Sequence, residues 1–194
     1  PYVAASGGFR GELAIARGQG GEALAWIEES LARLHAARYE LLTTPFSTAL
    51  AEGLLLDGRA SEALDLLDAA IDQCRRDGEL LFMPELLRIK AAARLALGGD
   101  VGELEALLRD AVDWSRRQGA RAWELRAVTA LARLLLEADR RLEIAAELAT
   151  LCDAFTEGFA TADLQAARRL IETLARPDAE RIPAPAILDG RNIG

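Results

Sequence analysis

The residues able to do chemistry are few. The chain has one histidine, His35, and two cysteines, Cys74 and Cys152. A Cys–His pair can serve as nucleophile and base, and Cys, His and carboxylate side chains together can hold zinc. Neither pattern is present. The three residues are far apart in the chain, and His35 has no Cys or carboxylate cluster at ligand spacing. It shares a helix face with Leu31 and Leu34, which reads as a surface histidine. Two lone thiols make neither a disulfide framework nor a zinc site, so both are expected to be reduced and partly buried.

Carboxylates are plentiful: Glu28 and Glu29, Asp65, Asp68 and Asp72, Glu103 and Glu105. The Asp65, Asp68, Asp72 set shares one helix face and could bind a cation. It lies opposite the apolar stripe, so a solvated face is expected. General acid–base work needs a carboxylate in a dry pocket, and no sequence feature argues for one. Gly7-Gly8 and Gly98-Gly99 fit no phosphate-loop spacing. Trp26, Trp114 and Trp123 fall in helical registers and read as wedges between helices, with Trp123 at a helix start and partly exposed. The expectation is a chain with no catalytic residue, no metal ligand and no cofactor.

The elements that carry these residues are helical by composition. Hydrophobic residues make up 51% of the 194, mostly Ala and Leu, while aromatics are 5%. Ala, Leu, Glu and Arg lose little entropy in a helix, whereas sheets favour β-branched and aromatic side chains. The net charge of −8 argues against nucleic acid, which calls for a basic face, and favours neutral or cationic protein surfaces. Lys90 is the single lysine; the arginines are scattered over many helices, which reads as coding bias. No apolar run reaches the length of a membrane span and no signal peptide is visible, so a cytoplasmic protein is expected. The chain opens at Pro1, and residues 2–15 already read as the middle of a helical array, so a fragment of a longer polypeptide is expected.

Order along the chain comes from a repeat of about 40 residues. Gly20-Gly21-Glu22-Ala23-Leu24 recurs as Ala60-Ser61-Glu62-Ala63-Leu64, then as Val101-Gly102-Glu103-Leu104 and Arg141-Leu142-Glu143-Ile144. A second marker, Arg75-Arg76-Asp77-Gly78, returns as Arg116-Arg117-Gln118-Gly119, with a weaker version ending at Gly158. Each repeat reads as a helix pair: 4–17 with 22–37, 41–57 with 60–76, 81–97 with 101–117, and 121–138 with 142–156. The Arg pairs precede Gly as helix-end signals do, cations suiting the negative end of the dipole. Asp100 with Glu103 has capping-box spacing, and Pro84 and Pro45 fit first turns. A ninth helix, 162–175 with Thr161 as N-cap, would cover the last apolar face. The expected organisation is repeats at 1–38, 41–78, 80–119 and 120–158, a cap at 161–175, and a Pro-containing flexible tail at 176–194.

The register within each pair resembles that of tetratricopeptide repeats. Ala51, Leu54, Gly58, Ala63, Leu67 and Ala70 match it in the second repeat, and Gly11, Ala14, Gly18, Ala23 and Ile27 in the first, with Ser30 where Ala is usual. The resemblance implies an all-α fold, an α-solenoid of about four hairpins with a capping helix. The strings Ala120-Arg121-Ala122-Trp123-Glu124-Leu125-Arg126-Ala127 and 155–164 are similar to the C-terminal helical-repeat region of bacterial multidomain regulators. Those regulators carry class III adenylate/guanylate cyclase or winged-helix DNA-binding domains and a signal-transducing ATPase further upstream. The chain departs from that pattern at Asp139 and Ile144 and lacks a Trp near Leu135; none of the upstream activities' motifs lies within it.

A stack of this kind presents a groove lined by the first helix of each pair, which holds peptides or helices. Glu52, Arg126, Thr129 and Arg133 are expected to face it. The implied role is a protein-interaction or regulatory module whose partners are proteins, peptides or other domains of the same polypeptide, with neither nucleic acid nor membrane. The alternative is a sensor whose groove takes a small-molecule effector. An open apolar face at the N-terminal end would let isolated copies form a homodimer.

Overall fold

The computed structural model describes residues 2–136 and 140–175. Among them all regular structure is helical: α1 (Tyr2–Ala16), α2 (Glu22–Ala36), α3 (Thr43–Leu56), α4 (Ala60–Asp77), α5 (Met83–Ala96), α6 (Val101–Gln118), α7 (Arg121–Leu134), α8 (Arg141–Asp153) and α9 (Ala162–Ala175), with a 3-10 turn at Glu40–Leu42. The 176–194 segment expected as a flexible tail, and Asp139, lie outside the described residues.

The chain divides into two compact units, Pro1–Gly99 and Asp100–Gly194. The division falls between the two helices of the third expected repeat. In the first unit α1 packs on α2 and α3, α3 on α4 and α5, and α4 on α5. In the second, α6 packs on α7, α7 on α8 and α9, and α8 on α9. Within each unit every helix therefore meets the next in sequence. The odd-numbered helices also meet one another, as α1 with α3, α3 with α5, and α7 with α9.

Apolar stripes drive this packing. In α4, Ala63, Leu67, Ile71 and Cys74 are buried at spacings of three and four, while Asp65 and Asp72 are exposed. Small residues set how closely helices approach. A Cβ on Gly11 would lie 2.5 Å from Ile27 Cγ1 and 2.8 Å from the Ala23 carbonyl oxygen. One on Gly53 would lie 2.3 Å from Ile15 and 2.5 Å from Leu24. Gly8 is filled in the same way by the ring of Phe46, which also stacks edge-on with Phe9 at 5.2 Å.

The turns follow the repeat. Gly18, Gly58 and Gly98 are left-handed just after α1, α3 and α5, Gly78 and Gly119 cap α4 and α6 in the same conformation, and Gly158 is left-handed in the turn before α9. Asp100 caps α6, accepting from the Gly102 and Glu103 amides at 2.9 and 3.2 Å. Pro84 lies in the first turn of α5 as expected. The Thr161 hydroxyl donates back to the Gly158 carbonyl at 2.8 Å, fixing the turn into α9. Expected and observed helix limits differ most at the C-terminal ends of α7, expected to reach 138 and observed to stop at Leu134, and α8, expected to reach 156 and observed to stop at Asp153; a smaller difference lies at the start of α3. There Glu40–Leu42 winds into the 3-10 turn, whose Glu40 carbonyl accepts from the Thr43 hydroxyl at 2.8 Å.

Candidate functional site

Two polar features stand out in the first unit. The first joins α3 to α5. The Arg88 guanidinium is 3% exposed in an apolar setting, so it needs partners to offset its lost hydration. Glu85, one turn earlier on α5 and 4% exposed, accepts from Nε at 3.1 Å and Nη2 at 2.9 Å. Glu52 on α3 accepts from Nη2 at 2.6 Å. Burial alone would lower the Arg88 pKa; the Glu85 and Glu52 charges outweigh it and hold the group above its ordinary range. Arg88 therefore stays charged, and the two-pronged pairing fixes where α5 crosses α3.

The second feature is a cavity of about 470 Å³ between the end of α2, the 3-10 turn, α3 and α4. His35 and Glu40 line one side, with His35 Nδ1 3.4 Å from Glu40 Oε2. The hydroxyl residues Thr43, Thr44 and Ser47 of α3 line the next side. Across from them α4 contributes Gln73 and Arg76, with Arg76 Nη2 donating to Gln73 Oε1 at 2.7 Å. Leu66, Ala69 and Ala70 supply an apolar wall. The volume is in the range of small-molecule sites, and cation, carboxylate, hydroxyls and apolar surface converge on it.

Glu52 bridges to α5 instead of standing free in a groove. Thr129 is 6% exposed, and Arg126 and Arg133 are half-buried. Asp65 and Asp72 are exposed as expected, but Asp68 is held by Lys90 of α5 at 2.5 Å, so this face is only partly solvated. Sequence spacing within α4 could not reveal a partner on α5.

The Arg pairs mark helix ends and also do more. Arg116 donates to Glu124 of α7 at 2.7 Å and to Glu147 of α8 at 2.9 Å. Glu147 also accepts from Arg109 at 3.0 Å, so one carboxylate ties α8 to two turns of α6. Its hydrogen bond to Glu124, ahead of the burial that opposes it, raises the Arg116 pKa. Arg117 lies over the Trp114 ring at 4.2 Å, and Arg10 over Trp26 at 3.8 Å, so these two tryptophans are stacked with arginines.

The thiols are buried. Cys74 Sγ lies 3.9 Å from the Thr44 hydroxyl, and burial pushes its pKa above the ordinary range against that contact. Burial likewise raises that of Cys152, with Arg168 pulling the other way. Among the described residues no three His, Cys, Asp or Glu side chains are grouped to hold a metal ion, and no helix is long and apolar enough to cross a membrane.

No single motif in the sequence marks the cavity. Its signal lies in comparing repeats. Thr43, Ser47 and Gln73 of α3 and α4 correspond to Met83, Leu87 and Trp114 one repeat later. Met83 and Leu87 are 1% and 4% exposed and fill the next repeat with apolar side chains, whereas the first and fourth repeats carry the small Gly7 and Ala127 at the place of Ser47. Comparison of the chain with protein-family models, curated proteins and solved structures finds no match.

Proposed function

We propose that the chain is a non-catalytic, tetratricopeptide-like scaffold. In this reading it is a protein-interaction or regulatory module of a larger bacterial signalling or transcriptional regulator, acting in the cytoplasm. One observation carries the reading: within each unit the odd-numbered helices lie against one another, while α1, α3 and α7 each also pair with the helix that follows. In this reading the hairpins stack as an α-solenoid of about four, whose first helices share a surface of the kind that takes peptides and helices. The acidic balance of −8 suits neutral or cationic protein partners, including domains of the same polypeptide.

The test is capture of partners by immobilised wild-type chain and by an Arg126→Glu/Arg133→Glu variant of equal helicity, compared by mass spectrometry. Loss of specific partners supports the shared-surface reading; identical capture profiles remove it.

The cavity beside His35 favours a second reading, an effector sensor. A polar, ligand-sized hollow formed by α2, α3 and α4 would let a small molecule bias how these helices pack.

A further inference from the structure

We infer that the cavity at the α2–α3 junction binds a small zwitterion of the amino-acid class. The inference rests on the effector reading and names its ligand.

Two features set this junction apart from the repeat that follows it. The first is its lining. Where the next repeat has Met83, Leu87 and Trp114, this one has Thr43, Ser47 and Gln73. Relative to that repeat, the buried Met83 and Leu87 and the part-exposed Trp114 give way to shorter polar residues at an open hollow of about 470 Å³, whose His35, Glu40, Gln73 and Arg76 are exposed to solvent. A fold built on apolar stacking loses packing by this exchange, and such violations of local rules gather at functional sites. The second is backbone strain. Arg38, which enters the turn bearing Glu40, has a φ of 51°, where α4 and α6 are followed by the left-handed glycines Gly78 and Gly119.

The chemistry of the walls selects the ligand. Arg76 presents a permanent cation from α4, suited to a carboxylate. Glu40 presents an anion from the 3-10 turn, 3.4 Å from His35 Nδ1 and suited to an ammonium group. The hydroxyls of Thr43 and Ser47 lie on the α3 wall, and Leu66, Ala69 and Ala70 form a small apolar surface for a short side chain. A ligand with one charge of each sign matches both charged walls; a simple amine or a simple carboxylate matches one.

The experiment is isothermal titration and amide NMR of the whole chain with the twenty L-amino acids. The controls are the corresponding decarboxylated amines and deaminated acids, and a separate panel of nucleotides, sugar phosphates and dicarboxylates. The expected result is saturable binding of one or a few amino acids, with shifts confined to 35–47 and 66–76. Arg76→Met and Glu40→Gln should each weaken it about tenfold or more. Ser47→Leu, which installs the next repeat's residue, should abolish binding while leaving the melting temperature equal or higher. Binding of acids as tight as that of the amino acids, or affinity unaffected by Glu40→Gln, overturns the zwitterion. Binding only from the separate panel overturns the ligand class but leaves the effector reading standing. No binding from any panel overturns both.

Discussion

Arg38 and Gly78 hold the same place in successive repeats, and both are left-handed, with φ of 51° and 74°. Gly119 repeats the arrangement at the end of α6, at 66°. An L-residue in this region carries roughly 1–2 kcal/mol of steric cost that glycine does not. Arg38→Gly should therefore stabilise the first unit. The gain is partly cancelled by the extra freedom of an unfolded glycine, worth about 0.4–1 kcal/mol. The net expectation is a gain of about 1 kcal/mol, a rise of roughly 2–4 °C in melting temperature. A melting temperature that falls would show that the Arg38 side chain contributes more than its backbone costs.

Gly11 is the opposite case. In a helix interior Ala is favoured over Gly by about 1 kcal/mol. The added methyl would meet Ile27 Cγ1 at 2.5 Å and the Ala23 carbonyl oxygen at 2.8 Å, and backbone cannot step aside as a side-chain tip can. Overpacking of this kind costs about 1–3 kcal/mol. Gly11→Ala should thus be neutral to destabilising by about 2 kcal/mol, and Gly11→Val worse, as read by urea denaturation. A clear increase in stability would mean that α1 and α2 can separate at little cost.

Removing the Arg88 guanidinium should be among the most damaging single changes. It takes the shared cation away from Glu85 and Glu52, and breaking a buried pair on one side costs roughly 3–5 kcal/mol. Arg88→Met should therefore lose most of the first unit's stability. Arg88→Met combined with Glu85→Leu should recover part of it, because the second change removes a buried charge. A double variant no better than the single one would argue against charge burial as the cause.

The thiols set an alkaline limit. Cys74 and Cys152 are raised by burial, so the native chain keeps these protons to a higher pH than the unfolded chain does. Stability is then full below the unfolded thiol pKa and declines as pH rises through and above it. Urea midpoints should fall between pH 8 and pH 10, and less so in a Cys74→Ala/Cys152→Ala variant compared with its own value at pH 7. Alkylation by iodoacetamide, which needs thiolate, should be much slower in the native chain than in urea.

Much of the helix layout was legible because it rests on local rules repeated in step. The helix expected at 60–76 is observed as Ala60–Asp77, the one at 101–117 as Val101–Gln118, and the last as Ala162–Ala175. Their ends are set by Gly78, by Asp100 and Gly119, and by the turn at Gly158. What was not legible depends on neighbours distant in sequence. Asp68 finds Lys90, Arg116 finds Glu147, and Glu52 finds Arg88, and each pair joins different helices. The polar cavity escaped for another reason. Thr43 and Ser47 are unremarkable in a helix and become informative only beside Met83 and Leu87.

Lys90 bears on how the chain can be probed. It is the sole ε-amine in 194 residues, and its side chain is 19% exposed against Asp68. Acylating reagents and amine-coupled dyes therefore have one side-chain target, at the place where α5 crosses α4. Its rate of modification would report on the opening of that crossing alone, an intrinsic gauge that needs no engineered label.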